Sequence, residues 1–192
     1  LDSGRWYNHS VIPYYRQALD DLNYLYDEWP IHDLSVDVPT TATLRAYQAV
    51  IWSAPFDSPG VIGSGAVLSD FLGTGGHLLL SGQDVGYYDD YLRYEPYFHA
   101  QLMAQLVADA AASRQLTGTH AFAGLTLDIS GTGGANDQFY PDVIQSRAPA
   151  LTEPAFDYAP DQNGGQSVGL CRPYRAVYLP FGFEAINDRS TR

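Results

Sequence analysis

Residues 75 to 90, GGHLLLSGQDVGYYDD, constrain this chain more than any other stretch. A glycine pair closes one element, His77 to Leu80 form a short apolar run, and a polar turn follows at once. Such a run bounded by glycines reads as a strand buried on both faces in a parallel sheet. The turn Ser81-Gly82-Gln83-Asp84 then falls at the carboxyl end of a central strand, where open α/β sheets hold their ligands. What the protein does depends on whether that turn carries a nucleophile.

The segments before it alternate between helix and strand. Ser10 can cap a helix in which Val11, Tyr14, Tyr15, Ala18, Leu19 and Leu22 recur at helical spacing, with Pro13 tolerated in its first turn. Tyr24 to Trp29 alternates as a strand. Pro39 and the Thr40-Thr41 pair introduce a short helix through Leu44 to Tyr47, which feeds the apolar strand Ala49 to Trp52. Val67, Leu68, Phe71 and Leu72 make the stripe of a further helix that stops at Gly73 and Gly75-Gly76. This alternation predicts an α/β fold with a mostly parallel sheet, helices on both faces and right-handed crossovers.

The second half is less regular. Pro96 to Ala112 reads as the best helix of the chain, with Phe98, Leu102, Leu106 and Ala110 on one side. Short strands and Gly-rich turns follow, including Leu125 to Ile129 and a pair Ser167-Cys171 and Arg175-Leu179, so β-hairpin additions are expected there. No internal repeat or long linker divides the chain, and residues 1–192 are expected to form one domain. Leu1-Asp2-Ser3-Gly4 looks like the end of a first strand and Phe181 to Asn187 enters a helix, so the chain is expected to be a fragment of a larger multidomain protein.

Charge excludes several functions. The 22 acidic residues outnumber 10 basic ones, all of them Arg, for a net charge of -12. Such a surface repels phosphate backbones and anionic lipid, so neither nucleic-acid binding nor membrane insertion is expected. A chain without lysine has no Schiff-base residue and no Walker-type phosphate loop. With Cys171 as its one cysteine, it has neither an internal disulfide nor a cysteine-rich zinc site.

The order of elements, with Trp6-Tyr7, the Tyr14-Tyr15 helix, Tyr26-Asp27-Glu28-Trp29, Val50-Ile51-Trp52, GGHLLLSGQD and LPFGFEAIN, resembles the class I glutamine amidotransferase-like superfamily. Within that flavodoxin-like group, it looks most like the non-catalytic domains embedded in large secreted bacterial peptidases. The resemblance spans Asp2 to Asn187. It implies a three-layer flavodoxin-like fold, an extracellular or cell-surface location, and other domains of the same polypeptide as partners.

The catalytic branch of that superfamily needs a cysteine on a strained elbow, a histidine and an acidic partner. Here the elbow reads Ser81-Gly82-Gln83-Asp84 and has no cysteine. Ser81 lacks the flanking glycines of a Gly-x-Ser-x-Gly elbow, so its alternative role is a strand-end serine bonding to backbone. Gln83 and Asp84 either orient a ligand or close an Asx-type turn. Cys171, in the apolar string Val168 to Cys171, reads as a buried small hydrophobe, although Arg172 and Arg175 could lower its pKa.

Among the histidines, His77 lies in the strand, His9 and His32 in loops and His120 near a turn. His99 is the one that its helix could turn toward the SGQD crevice. Glu184 stands near the superfamily's terminal acidic position, either held by backbone at a helix start or lining a degenerate site. No resident cofactor is expected. Calcium is the one candidate ion, at Asp84, Asp89 and Asp90 or at the Gly133 to Asp137 loop with Asp142, because it takes oxygen ligands from acidic and Gly-rich loops.

Tyr87, Tyr88, Tyr91, Tyr94 and Tyr97 follow the turn and offer flat apolar faces with polar tips, suited to sugar stacking or protein contact. With Gln83 and Asp84, Tyr87 and Tyr88 form the expected ligand-binding surface. The leading expectation is a non-catalytic accessory domain with a role in packing or ligand binding. One alternative is a hydrolase or amidotransferase-like enzyme using Ser81, Gln83, Asp84, His99 and Glu184. The other is a carbohydrate-binding module.

Overall fold

A computed structural model of the protein describes residues 1–169 and 172–192. The chain opens with a 3-10 turn, Ser3–Tyr7, capped by Asp2 and ended by Asn8 in the left-handed region at φ 64°. Helix α1 is Ile12–Asp21, with Pro13 in its first turn, where the missing N–H costs nothing. Helix α2, Thr41–Leu44, is capped by Thr40, whose Oγ1 accepts from the Thr43 N–H at 3.1 Å. Strand β1 is Val50–Ser53, helix α3 Gly65–Gly73 and strand β2 His77–Ser81. Gly75, at φ 96°, makes the left-handed step that lets α3 end and β2 begin.

A six-residue π-helix, Tyr87–Leu92, leads into α4, Pro96–Ala100. Then come β3 (Ala104–Ala108), β4 (Gln115–Gly118), β5 (Thr126–Asp128), β6 (Val143–Ser146), β7 (Thr152–Pro154), β8 (Phe156–Tyr158), β9 (Gln162–Asn163), β10 (Gln166–Val168) and β11 (Arg175–Leu179). A 3-10 turn at Phe183–Ala185 follows β11.

The strands form a five-stranded sheet in the order β1-β2-β11-β10-β7, a four-stranded sheet β5-β4-β8-β9, and the pair β3-β6. Among the strands of the described residues, β1 with β2 and β2 with β11 run parallel, and Asp2 adds single parallel bridges to Ser53 and Pro30; β10 pairs antiparallel with both β11 and β7, and the other two sheets are antiparallel throughout. The expected three-layer flavodoxin-like fold, with a mostly parallel sheet and helices on both faces, is therefore corrected. The parallel part is a three-stranded kernel in a molecule otherwise built from small antiparallel sheets.

The kernel's two faces bury different material. Trp52, Leu80 and Tyr178 stand in register on one face and pack with Leu68, Phe71, Leu72 and Phe98 of α3 and α4. On the other face, Leu79 and Val177 pack against Leu116, Leu127, Phe156 and Tyr158 of the four-stranded sheet. There Val11, Ile12 and Tyr15, at the start of helix α1, pack against Ile51 of β1 and Phe183 of the turn after β11. An antiparallel sheet thus does much of the covering that a helical layer would do in a doubly wound fold.

Three other expectations need correction. The helix expected over Pro96 to Ala112 stops at Ala100, and the same sequence continues as β3. Leu102, Met103 and Ala104 are buried there, Met103 takes a left-handed φ of 54°, and β3 pairs with β6. Helix propensity loses to strand pairing and burial. Tyr24 to Trp29 forms no strand, and Leu25 is fully exposed. His77, expected inside a buried strand, lies exposed at its start. Cys171 lies outside the described residues.

Candidate functional site

The carboxyl ends of β2 and β11 meet the Gln138 to Tyr140 loop, the turn after β1 and the Ser3–Tyr7 turn. Ser81 is fully buried: its hydroxyl donates to the Phe181 carbonyl at 2.9 Å and accepts from the Phe183 N–H at 2.7 Å. Both hydrogen bonds join the ends of neighbouring strands, so this oxygen is a bracket between β2 and the turn after β11. A nucleophile needs a free lone pair beside a base. Ser81 has neither.

Gln83 does more. It is fully buried, and its Nε2 donates to the carbonyls of Pro55 and Asp137 at 3.1 and 3.0 Å. Its Oε1 accepts from the N–H groups of Phe139 and Tyr140 at 2.7 and 3.0 Å. One amide therefore ties the turn after β2 to two loops, one 28 residues before it and one 54 to 57 residues after it.

Glu184 is brought beside Asp137. It is fully buried, its Oε2 accepts from Tyr15 Oη at 3.2 Å, and its Oε1 has no hydrogen-bond partner. Burial, and then the charge of Asp137, pushes its carboxyl up to about 8. Asp137 Oδ1 accepts from Gln138 Nε2 at 3.0 Å, while Oδ2 is unpartnered and faces His9 Nε2 at 3.6 Å. Gln138 in turn accepts from the Gly182 N–H at 2.7 Å. The His9 ring sits edge-on to Phe56 at 4.3 Å, and Phe56 stacks on Phe139 at 6.3 Å. A protonated acid beside a second carboxylate and a histidine can hold and pass a proton, but Glu184 has no opening of its own, since Gly182 and Gln138 close over it.

The remaining residues of the expected site lie elsewhere. Asp89 is fully buried and takes Ser58 Oγ at 2.5 Å, Gly60 N at 3.1 Å and Tyr97 Oη at 2.5 Å. Asp90 meets His99 Nε2 at 2.6 Å through Oδ1 and accepts from the Leu106 N–H at 2.6 Å through Oδ2. Two adjacent carboxylates inside the π-helix are thus pulled toward different elements, which anchors that unusual turn on both sides. His99 serves this clamp and does not reach Ser81, so the expected grouping of Ser81, Gln83, Asp84, His99 and Glu184 separates. Tyr97, expected at the surface, is core.

Asp84 is partly buried, and burial with the nearby Asp109 raises it to about 6. The fully buried Asp142 accepts from the N–H groups of Gly86 and Tyr87 at 2.7 and 3.3 Å; burial above all, with Asp84 and Asp109 adding to it, holds its carboxyl well above the usual range. For the calcium candidates Asp89, Asp90 and Asp137, the structure gathers no set of three His, Cys, Asp or Glu side chains arranged for a metal among the described residues. Tyr87 and Tyr91 stand 5.6 Å apart beside an open groove of about 470 Å³ that runs along β3. Among the described residues, no helix is long and apolar enough to cross a membrane.

His9, Gln138 and Phe56 escaped the sequence reading as members of this cluster. No spacing signals them, because they arrive from three separate loops.

No protein-family model matches the chain, and no curated protein sequence matches it. Among solved structures, the chain is similar to an exo-β-1,4-mannosidase, Op5Man5, from Opitutaceae bacterium strain TAV5, with a TM-score of 0.54 and 10% identity over 91% of this chain. The likeness overturns the amidotransferase-like, peptidase-associated resemblance: the shared fold is one found in a mannosidase, with mixed and antiparallel sheets and few helices. The chain spans 25% of the length of that enzyme, and the likeness is one of fold.

Proposed function

We propose that this chain is a non-catalytic accessory module of a larger carbohydrate-active protein, acting by packing against neighbouring domains and by ligand contact. The observation that carries this reading is the asymmetry of the match: it takes in nearly all of this chain and a quarter of the mannosidase. The local chemistry agrees with it. Ser81 is spent on backbone, Gln83 is saturated, and Glu184, the perturbed acid beside Asp137, is sealed from solvent.

A second reading has one observation in its favour. Glycosidases use a pair of carboxyl groups, one held protonated as the acid. Glu184, raised to about 8 beside Asp137, has that electrostatic character. Incubating the chain with an aryl β-mannoside and with mannohexaose separates the two. The accessory reading expects no release of product. Release that disappears in Glu184→Gln would overturn it in favour of the hydrolase.

A further inference from the structure

The groove beside the π-helix is a different kind of surface from the closed cluster at the end of β2. On one wall stand Tyr87 and Tyr91, ring centroids 5.6 Å apart and tilted by 33°, with Tyr91 70% exposed. On the other wall β3 presents Gln105 and Val107, with Asp109 just past its end, and a bulge between Leu106 and Ala108 leaves Val107 facing out. The floor is held open by the Asp90 carboxylate, which occupies the Leu106 N–H.

Polar atoms are placed along this trough without being used up. Gln145 Nε2 donates to Gln105 Oε1 at 3.1 Å, which leaves the Gln105 amide nitrogen as a donor. Asp109 lines the trough half-buried, and burial raises its carboxyl above the usual range. Adjacent aromatic faces with a few polar groups in an open trough suit a ligand with one apolar face and a polar edge.

We infer that the Tyr87–Tyr91 groove binds a neutral saccharide chain, its pyranose faces on the two tyrosines and its hydroxyls on Gln105 and Asp109. The trough is open at the surface, which fits a run of sugar units rather than an enclosed terminal one. Asp90 and Asp109 in its lining, with Asp84 close to Asp109, in a chain of net charge -12, repel uronates and leave neutral hexose or pentose chains as the class. The inference rests on the accessory reading and supplies its ligand.

Affinity electrophoresis of the whole chain through gels containing mannan, cellulose derivative, xylan or polygalacturonate, followed by calorimetric titration with the matching hexasaccharide, tests it. Retardation by at least one neutral polysaccharide and not by polygalacturonate is expected. Tyr91→Ala should weaken binding by roughly tenfold, as truncating an aromatic anchor does, and Asp109→Asn should weaken it less. Tyr24→Ala, which removes an exposed aromatic outside the groove, should leave it unchanged. Circular dichroism of each variant checks that it is folded.

The inference is overturned if no neutral glycan retards the chain, if Tyr91→Ala binds as well as the parent, or if the chain takes up spermidine in place of glycans. Hydrolysis of the same hexasaccharides is measured separately. Turnover sinks the accessory reading, whereas failure to bind without turnover sinks the groove alone.

Discussion

Ser81 and Gln83 on one side, and Tyr87 and Tyr91 on the other, belong to one short run of chain, yet they have opposite surroundings. The first pair is fully buried, with every polar side-chain atom engaged; the second lines an open groove with rings only partly covered. The boundary falls at Asp84 to Gly86, where the buried Asp142 carboxylate takes the N–H groups of Gly86 and Tyr87, and the deep anchors Asp89 and Asp90 then secure the backbone beneath the two rings. Where polar groups saturate one another, they specify the fold and have nothing left for a ligand. Where the backbone is secured by a few deep anchors, the side chains above it remain free to bind.

Substitution at Gln83 tests the closed half most severely. Gln83→Leu keeps the volume but strands two buried carbonyls and two N–H groups. A loss of about 3–5 kcal/mol is expected from the cost of unsatisfied buried groups, read as a large fall in the urea midpoint. A loss under about 1 kcal/mol, the usual worth of a single net hydrogen bond, would break the idea that this amide holds three loops together.

Acidity comes next. Glu184, pushed up to about 8, and Asp57, pushed up to about 7 by burial despite hydrogen bonds from Trp6 and Ser3, keep protons in the folded state that the unfolded chain releases. Their contribution to stability is fully present below the ordinary carboxyl range and is lost as pH rises through about 7 to 8. Each linked group changes stability by about 1.4 kcal/mol per pH unit. The urea midpoint should therefore fall between pH 5 and pH 8, and Glu184→Gln should flatten part of that slope. An unchanged slope in that variant would show that the buried cluster is already ionised.

Ser81→Ala removes one hydroxyl and should cost about 1–2 kcal/mol, since it leaves the Phe183 N–H without its partner. Thermal melting measures this, and glycan binding should not change. Smallest of all, Tyr91→Ala should shift stability by no more than about 0.5 kcal/mol, as exposed substitutions do, even as it removes a wall of the groove. A large destabilisation there would erase the contrast between the two halves.

Much of the kernel was legible in the sequence. His77 to Leu80, Val50 to Trp52, the α1 and α3 stripes and Arg175 to Leu179 all form where apolar period and glycine stops place them. What covers the kernel was not legible. Residues 101–108 carry helical composition, yet strand pairing with Val143–Ser146 claims Ala104 to Ala108, and no local pattern announces a partner forty residues away. The site was legible in part for the same reason. Gln83 and Glu184 stand next to recognisable strand ends, whereas His9, Phe56 and Gln138 join them only through tertiary closure.

The place of β2 between β1 and β11 also bears on how the chain is made. β1 is synthesised before β2, but the other edge of the apolar run His77–Ser81 waits for β11, and the Ser81 hydroxyl for Phe181, 100 residues later. At the pace of translation, about 5–20 residues per second, that edge stays open for several seconds on a nascent chain. Any chaperone demand of this protein is expected to concentrate in that interval, since an unpaired apolar strand edge is the surface most prone to wrong pairing.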